Sequence, residues 1–311
     1  MQRFAVSLAA SIGLAAFGLA APQTPDDFKT QFSSEKAWSA LSWQCDLGPR
    51  VPGTPAHLKL RDRLLEVTTK YCDDAHLAAF SHKWSVNGQT IPMWNVIGTQ
   101  NWKDSDERVV ILTHWDTRPT ADYDPDPASR VKPIPGADDG ASGTAILEEL
   151  MRVMKGRHPR LGIMYLFIDG EDLGPGEDEM FLGAIDFAHH LPNPRPDYGV
   201  LLDMVGQKNL VVPVEPNSFQ KARPLVSAFY RFAGSIGYDK SFPTTMGTEI
   251  EDDHLSLIEA GVPTMDLIDF DYPSWHTLQD TPDKCSPESL GIVGRVMESW
   301  LCQKPPFVYP N

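Results

Sequence analysis

The groups through which this sequence could do chemistry fall in six short stretches. They are His114 and Asp116 in "THWDT", Asp138 and Asp139 in "PGADDGASG", and Asp169, Glu171 and Asp172 in "DGEDLG". Asp203 follows in "LLDMVG", Glu251 to His254 in "EDDHL", and His276 in "WHTLQDTPDK". Carboxylates crowded together repel, and burial costs each its hydration, so such a set implies a cation or shared protons among its members. Histidine and acidic side chains suit zinc, and an ion of that kind would keep the cluster ionised. The other chemistry is acid–base, in which neighbouring carboxyl groups raise one another's pKa and hold a proton in common. Each stretch alone has a plainer reading. Asp138 or Asp139 could cap a helix near residue 142, Asp169 could bond a turn, and His276 could sit in a surface loop.

The elements that would position these groups argue for convergence. Apolar runs at 93–99, 108–113, 163–168, 199–205, 210–214 and 262–268 read as strands. Helical patterns run over 35–44, 55–70, 142–154, 180–191, 218–237 and 286–301, with a short one at 253–260. Near-continuous apolar strands alternating with helices predict a largely parallel sheet covered on both faces. His114, Asp169 to Asp172 and Asp203 then stand at strand ends, and the carboxyl edge of such a sheet is where ligands bind. The Pro- and Asp-rich segment 118–136 cannot be a regular element, and loops of that length are often functional.

The whole chain limits the partners. With 311 residues, no repeat and no linker, a single α/β domain is the expectation. A formal charge of -15 excludes a nucleic-acid or anionic-membrane surface and favours cationic partners such as a peptide amino terminus. Residues 1–20 read as a signal peptide: Arg3, an apolar run, then Gly18-Leu19-Ala20 as a small-x-small cleavage site. The run is under ~20 residues, short for a membrane span. The expected mature protein, 21–311, is therefore secreted or periplasmic, monomeric and without a stable membrane anchor. Cys45, Cys72, Cys285 and Cys302 fit an oxidising compartment and admit three full pairings. A helix over 286–301 would hold Cys285 and Cys302 on the order of 25 Å apart, which excludes that pair. Four free thiols are the alternative.

Taken in order, the six motifs resemble those of the zinc aminopeptidase-like superfamily, which includes the M28 peptidases and the animal-type glutaminyl-peptide cyclotransferases. One motif is a weak signal, but six in sequence are specific, and the likeness runs from about Leu41 to the C-terminus. The resemblance implies an α/β domain whose mixed, mostly parallel sheet is flanked by helices. It implies Asp139, Asp172 and His276 as ligands of a catalytic zinc, with Glu171 beside them as general acid/base. His114 and Asp203 would complete a second metal site bridged by Asp139, and Asp116 would orient the first histidine. Two departures stand out. Asp172 occupies a place where most members have glutamate, and the tryptophan that animal cyclases carry soon after this motif is not evident in "LGPGEDEMF".

Two activities fit this resemblance. An aminopeptidase uses two metals to activate water. A cyclase uses no water: the substrate's own α-amine attacks its γ-carboxamide, polarised by one zinc, while Glu171 carries the proton to the departing ammonia. Asp253 and His254 occur in both. Asp252 resembles the acid that shares a proton with Glu171 and the Asp203 position in cyclases. Trp275 resembles the aromatic wall that packs the glutaminyl side chain, with plain core packing as its alternative. The expected function is an exported glutaminyl cyclase with one Zn2+ acting on peptide or protein N-termini. The alternatives are a two-zinc aminopeptidase and a non-catalytic peptide-binding relative, which would be expected to have lost a ligand or Glu171.

Overall fold

The computed structural model describes residues 29–157 and 160–303, so the signal reading of residues 1–20 lies outside it. Its strands are β1 (Asp74–Lys83), β2 (Thr90–Gln100), β3 (Glu107–His114), β4 (Leu161–Ile168), β5 (Tyr198–Asp203) and β6 (Thr264–Ile268). They form one sheet in the order β1-β2-β4-β3-β5-β6. The first three of that order pair antiparallel, and β4, β3, β5 and β6 pair parallel, which is the mixed, mostly parallel sheet expected.

Successive strand residues point to opposite faces, and the strands divide their apolar side chains accordingly. Val109, Ile111, Ile163, Tyr165, Phe167, Val200 and Leu202 enter one buried layer. Val110, Leu112, Met164, Leu166, Ile168 and Leu201 enter the other. The larger layer is closed by α1 (Ser34–Asp46), α2 (Pro55–Tyr71), α3 (Ala141–Met154), α5 (Pro216–Ser235) and α7 (Pro287–Gln303). The smaller is closed by α4 (Leu182–His189) and α6 (Asp253–Glu259). Among the described residues no helix is long and apolar enough to cross a membrane.

Four expectations need correction. Residues 210–214 are not a strand of the sheet; Val214 makes only an isolated bridge to Met246. Pro213 lacks a donor, and the amides of Val212 and Val214 go instead to the carbonyls of Ser241 and Thr245. Strand β1 has no counterpart in the apolar-run reading: it is an edge strand, nowhere fully buried, so its sequence shows no apolar run. The helix expected at 218–237 runs from Pro216 to Ser235 and kinks at Ala222 (φ -130°, ψ 33°), two residues before Pro224. The cysteines form no disulfide. Cys72 Sγ lies 3.6 Å from Met151 Sδ and Cys302 Sγ 3.9 Å from Met154 Sδ, so these thiols pack on the sulfurs of α3.

Helix α3 begins without a side-chain cap, at Gly140 with φ 91°. Neither Asp138 nor Asp139 serves as its cap. Its first turn lies directly on the sheet: a Cβ on Gly143 would stand 2.2 Å from Thr113 Oγ1 and 2.4 Å from the Leu202 carbonyl oxygen. Both obstacles belong to β3 or β5, so the helix itself must move. Gly143→Ala is expected to cost about 1–3 kcal/mol through overpacking. A lowered thermal midpoint would show it, and an unchanged midpoint would contradict this packing.

Candidate metal and acid–base site

The carboxyl ends of the parallel strands bring the expected residues together. His114 ends β3, Asp203 ends β5, and the Asp169–Asp172 turn follows β4. Asp139 precedes α3, Asp252 and Asp253 open α6, and His276 lies in the loop after β6. His276 (φ 51°) and Met204 (φ 47°), just after Asp203, hold left-handed backbones that non-glycine residues rarely adopt. Such strain gathers at functional positions.

Two groups of donors share Asp139. In the first, His276 Nε2 is 3.6 Å from Asp139 Oδ2 and 3.5 Å from Asp172 Oδ1. In the second, His114 Nε2 is 3.2 Å from Asp139 Oδ1 and 3.1 Å from Asp203 Oδ1. The groups differ in what they leave unsatisfied. Asp139 Oδ2 and Asp172 Oδ2 are buried with no hydrogen-bond partner among the described residues. Donors that face one another without a bond between them fit a cation, and His-Asp-Asp is a set that zinc accepts. In the second group the imidazole itself bonds Asp203. Burial alone would lower the pKa of His114, but contacts with Asp116, Asp139 and Asp203 outweigh it and hold the ring well above its usual range.

Glu171 faces this pair of groups, with Oε2 3.8 Å from His114 Nδ1. Burial, then Asp172, Asp252 and Asp253, push its carboxyl well above the ordinary range. Asp116 holds the turn that carries it, accepting the amides of Glu171 and Asp172 at 3.2 Å each, and lies 3.6 Å from His114 Nδ1. Asp252 is the N-cap of α6: Oδ1 accepts the Asp253 amide at 2.6 Å, while Oδ2 is buried without a partner among the described residues. Burial, then Asp203 and Asp253, raise its pKa as well. Asp253 is fully buried, and Glu251 faces solvent.

Trp275 stacks on His276 at 4.0 Å and on Tyr123 at 4.8 Å, with Phe270 edge-on at 4.8 Å. It is therefore part of an aromatic stack on the His276 ring. Tyr123 belongs to the 118–136 loop, which thus reaches the site as its length suggested.

Several contributors were not foreseen. Arg118 Nη1 donates to Asp172 Oδ1 at 2.8 Å and fixes that carboxylate with Oδ2 free. Asp280 accepts the amides of Asp138 and Asp139 at 2.9 and 3.3 Å and the Tyr272 hydroxyl at 2.7 Å, locking the turn that carries Asp139. Burial and the Asp139 charge push Asp280 up to about 7. Buried Arg50 donates to the Pro135 and Gly136 carbonyls before that turn. Behind Asp252, the His254 ring stands between Glu215 (3.4 Å) and Asp266 (4.0 Å). Asp169 lies apart from the donors and pairs with His57 Nε2 at 2.8 Å, accepting the Trp94 amide as well. It is a support of the turn. His254 and Asp169 stood in motifs already noted, Asp169 with the turn-bonding reading that the structure shows; of the others only Asp280 had a sequence signal, its place in the "WHTLQD" motif.

The sequence pattern of peptidase family M28 matches residues 95–301. The chain is 24% identical over 303 residues to the glutaminyl-peptide cyclotransferase of Bos taurus, covering 84% of this chain and 81% of that relative. The crystal structure of Tannerella forsythia glutaminyl cyclase superposes with a TM-score of 0.84 at 33% identity, covering 89% of this chain and 100% of that one. A Zn-dependent exopeptidase from Parabacteroides distasonis superposes equally well, with a TM-score of 0.84, 32% identity and coverage of 88% and 99%.

Proposed function

The chain belongs to peptidase family M28, and on that premise we propose that it is a glutaminyl-peptide cyclotransferase, converting N-terminal glutamine of peptides to pyroglutamate with release of ammonia. The observation that carries this reading is Asp252, a buried acid with an unpartnered oxygen that acts electrostatically on Glu171 and is acted on by Asp203. Two buried carboxyl groups, Glu171 and Asp252, both held above the ordinary range, can share and return a proton. Hydrolysis also moves one proton, from water to the leaving amine, so it is the additional acid Asp252 and not the shuttle itself that favours cyclisation. One zinc held by Asp139, Asp172 and His276 would supply a Lewis acid for the substrate's γ-carboxamide oxygen. The chain's own residues do the rest. The Trp275 face packs the glutaminyl side chain, and Glu171 accepts a proton from the attacking α-amine. The new bond joins that nitrogen to the carboxamide carbon, the bond from this carbon to the amide nitrogen breaks, and Glu171 returns the proton so that ammonia leaves. A group held above the ordinary carboxylate range is suited to both transfers.

The number of ions turns on His114: its ring bonds Asp203, and a proton on it would balance Asp139 and Asp203 beside a single zinc. The same geometry carries the second reading. With a second zinc in place of that proton, His114, Asp139 and Asp203 would hold it, and the pair of ions would supply the metal-activated water of an aminopeptidase.

Asp252→Asn tests the proton-sharing set. Cyclisation of an N-terminal glutamine peptide is expected to slow by roughly 10²-fold. The Asp252 charge is one cause of the raised Glu171 pKa, so removing it lets Glu171 remain ionised to lower pH. The acid limb of kcat/KM should therefore move down the pH scale. An unchanged rate and profile would contradict the role given to Asp252.

A further inference from the structure

Where a peptide goes beyond its first residue is written in the loops around the site. A cavity of about 810 Å³ is lined by Gln207, Lys208, Val211, Met246, Phe270 and Asp271, among others. That volume is within the ~300–1,000 Å³ range of ligand pockets. Its three walls are continuations of the segments that carry the chemistry. Gln207 follows Asp203 on the loop after β5, Thr248 precedes Asp252, and Asp271 precedes Trp275. Two other large cavities are lined by α4, α6 and the segment after α4, and by α1, α2 and α3, not by these loops.

The cavity is a built feature. The Val211 amide donates to Asp269 Oδ2 at 2.8 Å, and Gln207 Nε2 donates to the Asp271 carbonyl at 3.3 Å, tying the β5 loop to the β6 loop. Its apolar surface continues into the site: Phe270 and Ile268 belong to the small cluster that also includes Ile250 and Trp275. Within this lining Val211 (44% exposed) and Met246 (54%) present apolar side chains to solvent. Asp269, Asp271 and buried Glu215 outnumber the single cation Lys208 in the lining.

We propose that this groove binds the residues following the reacting N-terminal residue of a peptide, and that it selects extended segments with apolar, non-acidic side chains there. The proposal rests on the reading of the site as one that acts on peptide N-termini. Continuity with the Trp275 wall supplies the direction, the exposed Val211 and Met246 the preference for apolar side chains, and the acidic lining the rejection of carboxylates.

The test uses the full chain with amidated Gln-Gly, Gln-Leu-Leu-Gly and Gln-Glu-Glu-Gly, and with the same tails behind leucine. Ammonia and free amino acid are both followed, and fluorescence anisotropy reads binding of C-terminally labelled tetrapeptides. The Leu-Leu tail is expected to raise kcat/KM roughly tenfold over the dipeptide, mainly through KM, while the Glu-Glu tail gives no gain. In the double variant Val211→Asp, Met246→Asp that ratio should fall to about one, with weaker binding of the labelled Leu-Leu peptide. Val86→Asp, in the exposed turn between β1 and β2, should leave the ratio as it was. No length effect in the wild type, or one that the double variant leaves intact, would overturn the groove. If no peptide turns over, the catalytic reading has failed; anisotropy still decides the groove, which is overturned if the double variant binds as tightly as the wild type.

Discussion

Glu171→Gln is expected to reduce turnover by about 10³-fold or more while leaving metal content and thermal midpoint close to those of the wild type. The replacement keeps the size of the side chain and removes only its capacity to take and give a proton. Three of the acids around it are already engaged. Asp116 is occupied by the amides of Glu171 and Asp172, Asp172 by Arg118, and Asp203 by His114. The Glu171 amide and carbonyl are themselves bound, the carbonyl accepting from the Phe181 amide at 2.9 Å, so the backbone of the turn does not depend on the carboxyl group. Activity within tenfold of the wild type would remove Glu171 from its role.

Asp139→Asn acts on the other half of the device. Asp139 alone belongs to both donor groups, with Oδ1 toward His114 and Oδ2 toward His276. Asparagine preserves the volume but takes away the charge that a cation needs, and it presents an amide where Oδ2 has no partner. Zinc content of the purified variant should fall well below that of the wild type, and kcat/KM by about 10³-fold or more. Stability provides a readout independent of activity. A ligand that binds only the folded state stabilises it by about 4 kcal/mol at a thousand times its Kd. The wild type should thus gain in thermal midpoint on adding zinc to the chelated protein, and Asp139→Asn should gain little. Equal zinc content and equal zinc-dependent shifts in the two proteins would show that the ion is held elsewhere.

Part of this site was legible from strand ends, where His114, Asp203 and the Asp169–Asp172 turn stand, whereas the roles of Asp139, Asp252 and His276 came from the family motifs. A run such as "IMYLFI" is apolar on both faces, so a charged residue directly after it marks the strand's carboxyl end and a place in the crevice. Residues that act across the fold left no local mark. Arg118 lies in an irregular loop and becomes the clamp of Asp172 only when residues 54 positions apart meet. Asp266 reads as one polar residue within the strand "TMDLI", and its relation to His254 and Glu215 depends on α5, α6 and β6 packing together. The failures have the same origin. "LVVPV" has the composition of a strand, but strands need partners, and its amides find Ser241 and Thr245 outside the sheet. Strand β1 is half-exposed along its length, so pairing with β2, not an apolar run, makes it a strand. The cysteine count indicated pairs, whereas two of the four thiols pack against methionine sulfur on α3.

The most direct measurement is product identity. The purified chain, loaded with zinc, is incubated with a glutamine-initiated and a leucine-initiated peptide of the same downstream sequence, and ammonia, free amino acid and zinc per chain are determined together. A cyclase yields ammonia and pyroglutamyl peptide from the first, no free leucine from the second, and carries one zinc per chain. Free leucine with two zinc ions per chain, and no ammonia from the glutamine peptide, would contradict that reading in favour of an aminopeptidase.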